Sequence, residues 1–90
     1  GKYGMLRRTF LREHRDGIYT GMLLNGTLNS HLEEVDRQAQ KMLDDLTAQM
    51  KALNGVTEQL KAEDQMLWVQ MMNSIRHSAE EVILNDLIYA

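Results

Sequence analysis

Residues 28–53, LNSHLEEVDRQAQKMLDDLTAQMKAL, decide the fold of this 90-residue chain. The apolar side chains of this stretch recur at steps of four and three residues, the pattern of helices that pack at about 20°. They are Leu28, Leu32, Val35, Ala39, Met42, Leu46 and Leu53, with Met50 beside the seam. The opposite face is charged. We therefore predict one long amphipathic helix from about Leu28 to Leu53, with Thr27 or Asn29 as its cap and Asn54-Gly55 after its end.

A second long helix is predicted to follow. Thr57 is a suitable N-cap, Glu58 suits the first turn, and no breaker occurs before Leu87, so the helix would be about 45 Å long. Its apolar stripe is broad and contains Leu60, Leu67, Trp68, Met71, Met72, Ile75, Ala79, Val82, Ile83 and Leu87. Two long helices joined by a few residues predict an antiparallel hairpin.

Two shorter helices are predicted before the hairpin. The first runs from about Tyr3 to Arg15, with Asp16-Gly17 interrupting the chain after it. Its apolar face is predicted to contain Tyr3, Leu6, Phe10 and His14, with Leu11 at the edge. The second is a two-turn helix that ends at Gly26 in the left-handed conformation. Its predicted core residues are Ile18, Tyr19, Met22, Leu23 and Leu24.

Composition predicts a single all-α domain over residues 1–90. Proline and cysteine are absent, and Leu, Met, Ala, Gln, Glu and Lys dominate, which favours helices. No apolar run is long enough to span a membrane, and no secretory signal is visible, so we expect a cytoplasmic protein without membrane partners.

Self-association is predicted from the small size of the core. Two long and two short helices bury little apolar surface in one copy, so we expect a dimeric helical bundle. The broad stripe of the last helix supplies the predicted oligomer interface, which consists of Leu67, Trp68, Met71, Met72 and Ile75.

Positive charge is concentrated near the start of a chain whose net charge is −3. The basic residues among the first 30 are Lys2, Arg7, Arg8, Arg12 and Arg15. Three of these arginines share the face opposite the apolar stripe, and Arg7 flanks the stripe. Guanidinium groups bind phosphates well, so these five residues are the candidate DNA-binding residues. The acidic balance of the chain and the absence of interleaved aromatic residues argue against DNA binding and favour the alternative of an ordinary solvated face.

No catalytic, metal or cofactor site is predicted. The three histidines lie on different predicted helices. His31 and Glu34 form an i,i+3 pair that a dimer could double into a metal site, but a solvated first turn is the preferred interpretation. The acidic clusters lie on polar faces, where nothing desolvates a carboxylate for acid–base catalysis. We therefore expect a protein that is not an enzyme and that uses no cofactor.

Several stretches together resemble one known family. They are GKYG, LREHRDGIYTGMLLNGTLN, GVTEQLKAEDQMLWV and MNSIRHSAEEVILNDLIYA, and they cover most of the chain. In this order they are similar to the TnpV family of proteins encoded by bacterial transposons and integrative elements. The resemblance implies a DNA-related accessory role and carries over no catalytic residues.

Compared with what the resemblance implies for other members of the family, this chain differs in three respects. Such members often carry an extra segment ahead of GKYG, so the chain is expected to lack this N-terminal extension. They also tend to have lysine where Thr27 stands and a basic residue near Met71. Both departures remove positive charge, which weakens a phosphate-binding role at these positions.

Two functions follow from these patterns. The first is a non-enzymatic accessory protein of a mobile element that binds DNA as a homodimer. The alternative is a protein-interaction module whose methionine-rich helical surface binds a recombinase or another protein of the element.

Overall fold

The computed structural model describes all 90 residues as an all-α fold, which confirms the all-α class that the sequence predicts. None of the helices combines the length and apolar character that a membrane span requires. The helices are α1 (Lys2–His14), α2 (Asp16–Asn25), α3 (Leu28–Leu53), α4 (Glu58–Glu63) and α5 (Gln65–Ile83), followed by a π-helical turn, Leu84–Ile88. The bounds of α3 are those that its heptad pattern predicts.

The helices α3 and α5 pack against each other in opposite directions. Val35 and Ala39 near the start of α3 share a buried cluster with Ile83 at the end of α5. At the other end of the pair, Met50 and Ile75 line one small groove. The long helical pair is thus antiparallel.

The core lies at one end of this pair, where α1 completes a three-helix arrangement. It consists of Tyr3, Val35, Ala39, Ile83 and Ile88, flanked by Leu6, Met42, Leu43, Leu46, Leu84 and Leu87. At the opposite end only α3, α5 and the short α4 are present, and α4 packs on α5 alone. The hydrophobic core therefore stabilises half of the molecule.

Asp36 of α3 joins α1 to α3. Its Oδ1 accepts a hydrogen bond of 2.9 Å from the Gly4 N–H, and its Oδ2 lies 2.9 Å from the Gly1 nitrogen. The Gly4 N–H belongs to the first turn of α1, whose N–H groups have no partner inside the helix. The bond to the Gly1 nitrogen is the largest cause that lowers the pKa of Asp36, and the Gly4 amide adds to it.

Glycine is required at position 4 because α1 and α3 approach closely there. A Cβ on Gly4 would clash with the Asp36 carboxylate and would lie 3.0 Å from the Leu32 carbonyl oxygen. The approach also explains an error in the predicted face of α1. Leu11 is fully buried while His14 is exposed, because the glycine lets α3 contact the side of α1 that contains Gly4 and Leu11.

The prediction that α2 packs inward is wrong. No residue of α2 is buried, and Ile18, Leu23 and Leu24 are 51, 56 and 83% exposed. The chain turns at Arg15 (φ −139°, ψ 54°), one residue before the predicted interruption, so that Asp16 and the following glycine lie inside α2. The predicted end of α2 is confirmed, because Gly26 has a φ of 78°.

The prediction of one uninterrupted final helix is also wrong. Asp64 leaves helical geometry (φ −147°, ψ 82°), and its Oδ1 accepts a hydrogen bond of 3.1 Å from the Leu67 N–H. The chain therefore begins a new helix, α5, at Gln65. The predicted cap at Thr57 is confirmed, since its hydroxyl oxygen accepts a 3.2 Å bond from the Leu60 N–H.

The π-helical turn that follows α5 was not predicted. Its Tyr89 N–H donates to the Leu84 carbonyl across five residues at 2.8 Å. Such turns lie frequently at functional sites. This turn keeps Ile83 and Ile88, which are five residues apart, fully buried in the same core.

The molecule is a rod of 55 × 19 × 17 Å with a radius of gyration of 16.8 Å. A compact domain of this length has a radius of gyration of about 12 Å. The accessible surface is 6099 Å², whereas a compact monomer of this mass exposes about 5,400 Å². Only 11 of the 90 residues are buried. A single copy thus leaves much of its apolar surface in contact with water.

We predict opposite effects of alanine at two helical glycines. Gly4→Ala should lower the free energy of unfolding by about 1–3 kcal/mol, because the new methyl group meets Asp36 and the Leu32 carbonyl. Gly21→Ala in α2 meets nothing within 4 Å and should raise it by about 0.5–1 kcal/mol through helix propensity. Chemical denaturation at one protein concentration measures both. Equal stability of the two variants would contradict the close approach at Gly4.

Candidate nucleic-acid interface

The five predicted DNA-binding residues lie on α1 and at its C-terminal end, and the structure divides them into two groups. Lys2 and Arg7 make polar contacts with other segments of the chain. Arg8, Arg12 and Arg15 are exposed and have no carboxylate partner within ion-pair distance.

Lys2 belongs to a polar cluster between α1 and α5. Its Nζ donates a 2.8 Å hydrogen bond to Glu80 Oε1, and the Tyr3 hydroxyl donates to the same oxygen at 3.1 Å. The Lys2 bond is the largest cause that lowers the pKa of Glu80. The positive charge of Lys2 is therefore balanced within the chain, which leaves it less available to an external phosphate.

Arg7 holds the C-terminal turn against α1. Its Nη1 donates hydrogen bonds of 2.9 Å to the carbonyl oxygens of Ile88 and Ala90, and its Nε donates to His31 Nε2 at 3.3 Å. The side chain is half-buried, and burial lowers its pKa. Its guanidinium is thus occupied by groups of the chain itself.

His31 must be neutral to accept the bond from Arg7. Burial is the largest cause that lowers the His31 pKa, and the positive charge of Arg7 adds to it. The predicted partner Glu34 bonds instead to Arg37 and Gln38, and the Arg37 bond is the largest cause that lowers its pKa to about 2. His31 and Glu34 thus contact different partners, and no group of three His, Asp or Glu side chains converges elsewhere.

The exposed face of α1 carries uncompensated positive charge. Arg8 and Arg12 form no hydrogen bond or ion pair, and Arg15 donates only to the His14 carbonyl, at 2.9 Å. Arg37 and Lys41, by contrast, form ion pairs with Glu34 and Asp45. Lys51, Lys61 and Arg76 also lack an ion pair, but they do not share one helical face with each other. This face, defined by Arg8, Arg12 and Arg15, is called the arginine face.

An aromatic cluster lies beside Arg15, on the side of α1 opposite Arg8 and Arg12, although the sequence shows no interleaving. The Phe10 ring centroid is 5.3 Å from that of His14 and 5.5 Å from that of Tyr89. The Arg15 guanidinium lies 5.3 Å from the Phe10 centroid. Sequence reasoning missed this cluster because Tyr89 lies 79 positions after Phe10 and only the tertiary fold joins them.

The residues of the predicted oligomer interface differ widely in exposure. Ile75 is buried inside the chain, Trp68, Met71 and Met72 are half-buried, and Leu67 is 42% exposed. Trp68 Nε1 is buried without a hydrogen-bond partner, and the Lys61 ammonium lies 4.7 Å from its ring centroid. Further exposed apolar side chains lie at this end of the molecule outside the predicted interface, namely Leu53, Met66 and Val69.

The chain is an elongated all-helical protein with a basic first helix and exposed apolar side chains towards both ends. The chain belongs to the TnpV family, since the family model described as transposon-encoded protein TnpV matches residues 1–88. The resemblance noted in the sequence is thereby confirmed. No curated protein and no solved structure matches the chain.

We predict that the His31–Arg7 contact makes stability depend on pH in the weakly acidic range. Because the His31 pKa is lowered in the folded chain, the unfolded chain takes up the proton first as the pH falls below about 6.5. The free energy of unfolding should therefore decrease between pH 7.5 and 5.5. His31→Gln should abolish this decrease, whereas His77→Gln, on an exposed surface, should retain it. Denaturation curves measured across this pH range test the prediction. An unchanged dependence of stability on pH in His31→Gln would refute the assignment of the effect to His31.

Proposed function

We propose that this protein is a non-enzymatic accessory factor of a mobile element that binds DNA as a homodimer. The observation that carries the proposal is the arginine face: three exposed guanidinium groups on or next to one helix, none paired with a carboxylate. Membership of a transposon-encoded family supports the same role. Each guanidinium presents several donors to phosphate oxygens, and contacts of this kind provide affinity without sequence selectivity.

The DNA contact is centred on Arg8, Arg12 and Arg15. Arg7 is excluded from direct phosphate contact in this proposal because its guanidinium holds the C-terminal carbonyl groups. Lys2 contributes less because Glu80 accepts its hydrogen bond. Unlike these two, the arginine face needs no rearrangement before it meets a phosphate.

The homodimer is proposed from two apolar surfaces at opposite ends of the rod. The α2 patch consists of Ile18, Leu23 and Leu24, and the hairpin-end patch consists of Leu53, Met66, Leu67 and Val69. The 26 residues of α3 separate them by about 39 Å. Two copies placed side by side in opposite directions would bring each α2 patch onto the hairpin-end patch of the partner, and a two-fold axis would make both contacts at once.

Charge supports the same arrangement. Up to Gly26 the chain has five Lys or Arg against two acidic residues, whereas residues 44–70 have two Lys against five acidic residues. An antiparallel pair places each basic end beside an acidic end. A standard interface buries about 800 Å² per partner, so each of the two patches would contribute about 400 Å². A parallel pair would place like charges together.

We predict salt-dependent DNA binding that relies on the arginine face. Replacing Arg8 and Arg12 together by glutamine should reduce the slope of log affinity against log salt by about 1.8 for each chain, and so by about 3.6 for the homodimer, because each lost phosphate contact removes about 0.9. Fluorescence anisotropy with labelled duplex DNA from the element's ends measures this slope. The matched control is Arg37→Gln, because Arg37 is already paired with Glu34, and it should leave the slope unchanged. Absence of binding at low salt would overturn the DNA-binding function.

We predict a specific disulfide between copies. The chain has no cysteine, so introduced thiols are unique. Oxidising an equal mixture of Leu24→Cys and Met66→Cys chains of different tag lengths should give the mixed dimer, because the antiparallel pair brings these positions together. Leu24→Cys with Gln40→Cys, an exposed position in the middle of α3, should not crosslink. A Leu24→Cys chain that crosslinks mainly with itself, or a folded monomer at micromolar concentration, would contradict the arrangement.

The second candidate function is a protein-interaction module that binds a recombinase of the same element. The apolar helix α2 favours it, because Leu24 is 83% exposed on a helix with no buried residue. The same experiments separate the two functions. A monomeric chain that fails to bind DNA at low salt would favour the interaction module, since α2 would then remain free for another protein.

A further inference from the structure

We propose that the pocket between α1 and the C-terminal turn binds an unpaired nucleobase of a DNA strand whose neighbouring phosphate contacts Arg15 of the arginine face. This inference rests on the proposed DNA-binding function and specifies its ligand. The pocket has a volume of about 360 Å³, within the range of small-molecule sites. Its lining consists of Leu6, Thr9, Phe10, Glu13, His14 and Tyr89.

The Phe10 ring lies at the centre of the aromatic and basic side chains around the pocket. Its ring is surrounded by the Tyr89 and His14 rings at 5.5 and 5.3 Å and by the guanidinium groups of Arg7 and Arg15 at 5.6 and 5.3 Å. A further ring therefore has to stack on the neighbours of Phe10. Tyr89 is 44% exposed and His14 is exposed, so these two rings are the available platform.

Three separate features fix the position of Tyr89. The π-helical turn ends with the Tyr89 N–H bonded to the Leu84 carbonyl at 2.8 Å. Arg7 holds the carbonyl groups of Ile88 and Ala90, one on each side of Tyr89, at 2.9 Å. Phe10 contacts the ring itself. A half-exposed aromatic residue near a chain end is thus held in place before any ligand arrives, which reduces the entropic cost of stacking.

The charge distribution indicates which part of a nucleotide enters. Glu13 lies on the pocket wall and repels a phosphate, whereas it does not exclude a neutral base. Arg15 is the member of the arginine face beside the pocket, because its guanidinium lies 5.3 Å from the Phe10 centroid. It can contact a phosphate next to a base that stacks on Tyr89, while Arg8 and Arg12, on the opposite side of α1, contact phosphates further along the strand. Single-stranded nucleic acid is bound in this way elsewhere, by a basic surface combined with aromatic stacking platforms.

An unpaired base is required because the bases of a duplex are stacked on each other. Both faces of a paired base are covered, and reaching them requires that the nucleotide leave the helix, at a cost of a few kcal/mol. A single strand incurs little of this cost. The pocket therefore favours single-stranded DNA over duplex DNA that offers the same number of phosphates.

The test compares an oligothymidine strand of about 15 nucleotides with a blunt duplex of equal length at constant salt. The single strand should bind more tightly to the unaltered chain. Tyr89→Leu should weaken single-strand binding about ten-fold, as expected for one lost stacking contact, and should leave the salt slope unchanged because no phosphate contact is lost. Tyr89→Phe retains the ring and should bind like the unaltered chain.

The outcomes separate the pocket from the proposed function. If neither DNA form binds, the DNA-binding function fails together with the pocket. If duplex binds with a steep salt dependence and the single strand binds no more tightly, or if Tyr89→Leu retains full single-strand affinity, the pocket alone is refuted. Far-UV circular dichroism of Tyr89→Leu confirms that the variant is folded, so a loss of binding is not a loss of structure.

Discussion

The hydrogen bonds of Arg7 determine how the two ends of the chain meet. One guanidinium contacts the carbonyl groups of Ile88 and Ala90 and the imidazole of His31, and thereby joins α1, α3 and the C-terminal turn. Because Arg7 faces inward, Arg8 and Arg12 are turned towards solvent by the helical repeat. The same contact that closes the small core therefore sets the orientation of the arginine face and of Tyr89.

The second constraint is the unequal distribution of the core along the rod. At one end α1 covers the α3–α5 pair and Asp36 satisfies the first turn of α1. At the other end no third long helix is present, and apolar side chains such as Met66 remain 76% exposed. A fold with a closed end and an open end can gain stability from a partner. Its two different apolar patches suit a partner copy that runs in the opposite direction.

The sequence predicted the elements whose signal is local or periodic. The heptad seam predicted α3 at both ends, Thr57 predicted a helix start, and Gly26 predicted the left-handed end of α2. Apolar composition misled for α2, because α1 and α3 contact it on one side only, where Tyr19 and Met22 are half-buried, and leave its other apolar side chains exposed. The break at Asp64 was missed because a capping aspartate in a helix-favouring stretch is not distinctive. In the candidate site, exposed arginines could be selected from the helical repeat. The hydrogen bonds of Arg7 to the carbonyl groups of the C-terminal turn and the approach of Tyr89 to Phe10 depend on long-range contacts that no local pattern encodes.

The π-helical turn makes the number of residues between Ile83 and Ile88 important for packing. Ile83 and Ile88 are both fully buried although five residues separate them, a spacing that would rotate them well apart in an α-helix. The extra residue of the turn brings Ile88 back to the core and leaves the next ring beside α1. Deleting one residue between these isoleucines would displace either the buried Ile88 side chain or the Tyr89 ring. The turn therefore works as a molecular spacer, and substitutions of its exposed residues Asn85 and Asp86 should be tolerated far more readily than changes in its residue count.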